Sequence, residues 1–116
     1  MSMSDFLTGL GDDGAFREAL AAARRRYEVA VVLVEVTDLA AINAVAGRQA
    51  GDRALLGVAA ALTTALRCGD ELFRVGGGDF AAIVAVTEAG EADHAAERLR
   101  AAAPGARVSV AAGRAL

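Results

Sequence analysis

Eight residues, Val29-Ala30-Val31-Val32-Leu33-Val34-Glu35-Val36, constrain the fold of this chain more than any other stretch. A near-continuous run of apolar, mostly β-branched residues is too short to cross a bilayer. It suits a strand covered on both faces, hence a central strand of a sheet. Glu35 near its carboxyl end is the anomaly. A carboxylate at the end of a buried strand needs an ion partner, a hydrogen bond or a metal. The alternative is that the strand has already surfaced there.

The elements around this strand follow from periodicity and caps. Asp12 or Asp13 caps a helix with Phe16, Leu20 and Ala23 on one face. After the strand, Thr37 or Asp38 opens a short helix with Leu39, Ile42 and Val45 inward, stopped by Gly47. Gly51-Asp52 opens a longer helix with Leu55, Leu56, Ala59, Leu62 and Leu66 on its stripe, and Gly69 ends it. A hairpin follows over Glu71–Val86, then a helix over Glu91–Ala102 closed by Pro104-Gly105, then a strand from Arg107 to Ala111. Leaving aside the first helix, the order is βααββαβ. That is an α+β plan, a ferredoxin-like or palm-type antiparallel sheet covered by helices mainly on one face. In this topology Glu35 and the hairpin bend can meet at one edge of the sheet.

With 116 residues, 55% of them hydrophobic and 23% charged, the chain suits one packed domain over residues 1–116. A net charge of −3 argues against nucleic acid and against an anionic membrane surface as partners. The single cysteine, Cys68, excludes an internal disulfide and a cysteine zinc cage, and it reads as a small space-filling thiol. No run reaches membrane-spanning length and Met1–Asp5 is not a signal peptide, so the cytoplasm is the expected compartment. His94 reads as surface.

The hairpin bend is Arg74-Val75-Gly76-Gly77-Gly78-Asp79-Phe80. Three glycines let a backbone turn at positive φ and let a ligand approach. Asp79 there is either a solvated turn residue or an acid facing a metal or phosphate. Arg67-Cys68-Gly69-Asp70 precedes it. On its residues alone that pair reads as a surface ion pair worth under about 1 kcal/mol.

Taken in order, these pieces resemble the GGDEF domain of diguanylate cyclases along nearly the whole chain. Asp5-Phe6-Leu7-Thr8-Gly9-Leu10 is similar to the family's D-x-L-T-G-L opening. Asn43, Gly47 and Gly51-Asp52 are similar to N-x-x-x-G-x-x-x-G-D, and Arg67–Asp70 to R-x-x-D. Arg74 through Phe80 resembles R-x-G-G-D/E-E-F, and Ala96–Arg100 and Val108–Val110 resemble later landmarks.

The resemblance implies condensation of two GTP molecules to cyclic di-GMP, with Mg²⁺ or Mn²⁺ held by carboxylates. The family's metal acids correspond to Glu35 and to Gly78, which carries none. Asp79 stands one place later, and alternation puts it on the other face unless a bulge re-aims it. Thr37 replaces a second acid, Ala40 a lysine, and Asp12-Asp13 the usual Asn-Arg; the final basic helix is absent from the sequence. Without those charges phosphoryl transfer loses its electrostatic support. The expectation is therefore a degenerate domain with no catalytic residues and no cofactor. If it is active, Glu35 and Asp79 are its acids, with Mg²⁺ or Mn²⁺ bound. Asn43 and Asp52 correspond to guanine contacts, although both have ordinary uses on and at the start of a helix. Arg67, Asp70 and Arg98 correspond to the inhibitory site for cyclic di-GMP. Expected partners are cyclic di-GMP or GTP; the third alternative is an interaction domain that binds no nucleotide, in which a homodimer or other domains of a longer protein cover any bare sheet face.

Overall fold

The computed structural model describes residues 3–111. The elements are α1 (Asp13–Arg24), β1 (Val29–Val36), α2 (Leu39–Ala46), α3 (Arg48–Ala65), β2 (Glu71–Arg74), β3 (Asp79–Ala85), α4 (Glu91–Ala102) and β4 (Ala106–Ala111). The four strands form one antiparallel sheet in the order β2-β3-β1-β4. β1 is therefore internal, as its apolar run requires, with Val31, Val32 and Val34 at 1% exposure or less.

Alternation along β1 divides the core in two. Val32, Val34 and Val36 pack with Phe80, Ala82 and Val84 under Leu55, Ala59 and Leu62 of α3 and Ala95, Ala96 and Leu99 of α4. Val31 faces the other way, with Ala81, Ile83 and Phe73, beneath Phe16 and Leu20 of α1. Phe16 meets Phe73 edge to face with centroids 5.6 Å apart. The Asp12 carboxylate accepts from the Ala15 N–H at 3.0 Å and starts α1 at the cap the sequence predicts.

The lead-in is an added edge. Ser4 bridges Gly11, and Gly11 bridges Phe73 alongside β2. The Arg74 N–H donates to the Gly11 carbonyl at 2.9 Å. A Cβ at Gly11 would sit 2.8 Å from the Phe73 ring, so only glycine lets the lead-in lie this close.

Several expectations need correction. Val45 is 89% exposed and Leu56 41%, so neither belongs to an inward stripe. α2 is an eight-residue helix with no buried residue, attached to the core chiefly through Leu39. α3 begins at Arg48, before Gly51-Asp52, and ends at Ala65, before Gly69. Cys68 is exposed and fills no space.

Candidate functional site

Two candidate sites lie on this frame. The first is a cleft of about 330 Å³ on the part of the α1 face that α1 leaves bare, lined by Leu33, Val34, Glu35, Val75, Asp79, Phe80, Arg107 and Ser109. Strand register builds it. Glu35 on β1 lies opposite Asp79 on β3 and opposite Arg107 on β4, and one row along, Leu33 lies opposite Ala81 and Ser109. Asp79, Glu35 and Arg107 thus form one row across three strands on one face.

Asp79 therefore reaches the Glu35 side without the bulge or slip expected from alternation. Val36 N–H donates to the Gly78 carbonyl at 2.8 Å, and Val75 N–H to the Asp79 carbonyl at 2.9 Å. The Asp79 carbonyl is thus turned to the β2 side. That makes Glu35 and Asp79 a non-hydrogen-bonded pair across β1 and β3, the closer of the two antiparallel pair types, with Cα atoms about 4.5 Å apart. Position 78 is on the opposite face. A Cβ there would meet the Val36 carbonyl oxygen at 3.1 Å and Leu39 Cδ2 at 3.3 Å.

The glycines of the bend also act differently from expectation. None of Gly76, Gly77 and Gly78 has positive φ. Close approach explains two of them. A Cβ at Gly76 would sit 2.8 Å from Asp79 Oδ2, and Gly78 lies against β1 and α2. Arg74 holds the bend. Its guanidinium donates to the Gly77 carbonyl through Nη2 at 2.8 Å and Nε at 3.2 Å, and through Nη1 to Asp5 Oδ1 at 2.9 Å. Burial pushes the Asp5 carboxyl up, but hydrogen bonds from the Thr8 hydroxyl and N–H, then the Arg74 guanidinium, outweigh it and hold the group below its ordinary value.

Directly opposed like charges destabilise a sheet unless a cation compensates. Here Arg107 Nη1 approaches Glu35 Oε1 at 3.4 Å. No group of three or more metal-ligating side chains occurs among the described residues. Two adjacent carboxylates nonetheless fit Mg²⁺, which is commonly held by one or two protein carboxylates with water and phosphate oxygens completing its shell.

The second site is the Arg67–Asp70 turn. Asp70 N–H donates to the Arg67 carbonyl at 3.0 Å, and Arg67 N–H donates back to Asp70 Oδ2 at 3.1 Å. Gly69 carries φ +96°, a value L side chains rarely adopt. Arg98 arrives from α4. It donates from Nε to the Ala65 carbonyl at 3.1 Å, the last residue of α3, and its Nη2 lies 3.9 Å from Asp70 Oδ2. The three predicted residues are thus brought together. The Asp70 side chain is 6% exposed and already engaged. The Arg67 guanidinium has no hydrogen bond among the described residues and lies within electrostatic reach of Glu91. Glu91 is tied to the Thr87 N–H and hydroxyl, and these bonds are the main reason its carboxyl sits below the usual range.

Asn43 lies on α2 and Asp52 in the first turns of α3, on either side of the α2–α3 junction. A side chain at Gly51 would collide with the Asn43 amide, so the glycine beside Asp52 is what lets α3 lie against Asn43. Asn43 is exposed and Asp52 half-buried. His94 is exposed, as expected.

The sequence reading missed Arg107 and gave no role to Asp5 or Arg74. The signal for Arg107 was positional: it lies two residues before Ser109 on a strand that had to border β1.

The comparisons with known proteins agree with this architecture. The family model described as diguanylate cyclase, GGDEF domain, matches residues 2–114. The structure of diguanylate cyclase SiaD from Pseudomonas aeruginosa, in complex with its activator SiaC, is similar with 26% identity and a TM-score of 0.82 over 94% of this chain. This chain spans only 48% of SiaD, about half its length. A sensory box/GGDEF family protein from Caulobacter crescentus is 25% identical, with TM-score 0.83, covering 95% of this chain and 83% of that one. The GGDEF domain of DgcB from Caulobacter crescentus, in complex with c-di-GMP, is 20% identical and shares the fold, with TM-score 0.84 over 99% of this chain and 83% of that one. With its four-stranded sheet, its glycine bend and a family match along almost its entire length, this chain belongs to the GGDEF family.

Proposed function

We propose that this GGDEF domain is a catalytically degenerate regulatory module in cyclic di-GMP signalling, and that it binds cyclic di-GMP at Arg67, Asp70 and Arg98. The observation that carries this reading is the convergence of these three residues at one turn, where the Arg67 N–H and Arg98 Nη2 both face Asp70 Oδ2 and the Arg67 residue stays exposed. A planar guanidinium matches guanine O6 and N7 or a phosphate, and it stacks on a base. Asp70 accepts from guanine N–H groups when Arg98 and the Arg67 N–H share it. The cyclic di-GMP complex of DgcB supports the ligand class. Calorimetric titration with cyclic di-GMP tests the proposal. Wild type is expected to bind with Kd in the tens of micromolar or tighter, about −6 kcal/mol, and Arg67→Ala to lose at least tenfold. Absence of binding by wild type contradicts it.

The register of Glu35 and Asp79 favours a second reading, a weak metal-dependent diguanylate cyclase using GTP, with Asn43 and Asp52 toward guanine. Gly78, Thr37 and Ala40 weigh against it. GTP turnover with Mg²⁺ or Mn²⁺ that disappears in Glu35→Ala would establish it in place of the degenerate reading. No helix among the described residues is long and apolar enough to cross a membrane, and the proposal places the domain in the cytoplasm.

A further inference from the structure

The row Asp79–Glu35–Arg107 carries an inference independent of cyclic di-GMP binding. Of the eight residues lining the cleft, Arg107 is the one cation. It is not part of the signature bend; it comes from β4, on the other side of β1. Its Nη1 lies 3.4 Å from Glu35 Oε1, so it sits at one of the two carboxylates that a divalent cation in this cleft would use. The pair is open to solvent on both partners, at 73% and 51% exposure. Arg107 can therefore leave without unpacking any core residue.

We propose that Arg107 is a built-in counter-ion that competes with a divalent cation for Glu35. Strand register fixes the two opposed carboxylates, and their mutual repulsion needs a positive charge. In the metal-free cleft the guanidinium supplies it. A divalent cation bound by Glu35 and Asp79 has to displace that guanidinium, because both positive groups claim the same carboxylate and repel each other. Arg107 thus sets cation affinity low and makes the cleft respond to the cation level around it. An exposed ion pair is a weak competitor, so its removal is expected to tighten cation binding about two- to fivefold.

Mn²⁺ titration of the full 116-residue chain, followed by the electron paramagnetic resonance signal of the free ion, reads this directly and needs no turnover. Arg107→Gln is expected to bind Mn²⁺ more tightly than wild type by that factor. Arg107→Lys, which keeps the charge, is expected to stay near wild type. Glu35→Gln is expected to weaken binding, and adding Arg107→Gln to it to restore nothing. Circular dichroism checks folding, and Arg107→Met repeats the test should the glutamine variant not fold. Unchanged or weaker Mn²⁺ binding by the neutral variants overturns the proposal. So does tightening that persists in the Glu35→Gln background, or no measurable Mn²⁺ binding by any variant.

Discussion

Arg74 joins two stretches of sequence 69 residues apart, the lead-in through Asp5 and the glycine bend through the Gly77 carbonyl. Both charged side chains are more than four-fifths buried, so this pair is not a surface decoration. Removing one partner leaves the other charge poorly solvated. Arg74→Ala is expected to cost about 1–3 kcal/mol in urea unfolding. Asp5 adds a pH signature. Its folded pKa lies below the unfolded value near ~3.9. Its stabilisation is therefore complete above that value and is lost as pH falls through the folded pKa. The stability gap between wild type and Asp5→Asn should be level from pH ~7 to ~5 and close below pH ~4; a gap that widens in acid contradicts the assignment. Residue types made part of the sites legible. Glu35 stood out because charge is rare on such a strand, and Arg67, Asp70 and Arg98 because their spacing matched a motif. The face of Asp79 was not legible, since it depends on which glycine ends the bend and which residue begins β3.

The elements differ in how firmly they are held. α3 buries Leu55 and Leu62 at 2% exposure or less, and α1 buries Phe16 and Leu20. α2 buries nothing. Leu62→Ala is expected to cost about 2–5 kcal/mol, and Phe16→Ala about 3–5 kcal/mol, through the lost contact with Phe73. Val45→Ser is expected to stay within about 0.5 kcal/mol. Denaturant midpoints of the three variants check the order, and a large loss at Val45 would show that α2 has a buried face. Periodicity found α1 because Phe16 and Leu20 recur on one buried face, the near-continuous apolar run marked β1 as internal, and Pro104-Gly105 marked the end of α4. Periodicity misplaced Val45 and Leu56 because both helices are rich in alanine. Where most positions are apolar, the pattern does not say which side faces the sheet.

At the scale of the molecule, the antiparallel sheet separates the two chemistries. Helices α3 and α4 close one face and hold the Arg67–Asp70–Arg98 cluster where they meet, while α1 covers only part of the other and leaves the Glu35 row open. The neighbourhood of β1 and the hairpin was legible from the βααββαβ plan, whereas the full order β2-β3-β1-β4 came from the structure. The bare portion of the second face followed from topology, but its cation did not, since Arg107 acquires its partner only through the β1–β4 register. The most direct test of the account is a titration of the ¹⁵N-labelled chain with cyclic di-GMP, followed amide by amide. The account predicts saturable shifts concentrated at Arg67, Cys68, Gly69 and Asp70 and on α4 around Arg98. Shifts confined to Glu35, Asp79 and Arg107, or none at all, would contradict it.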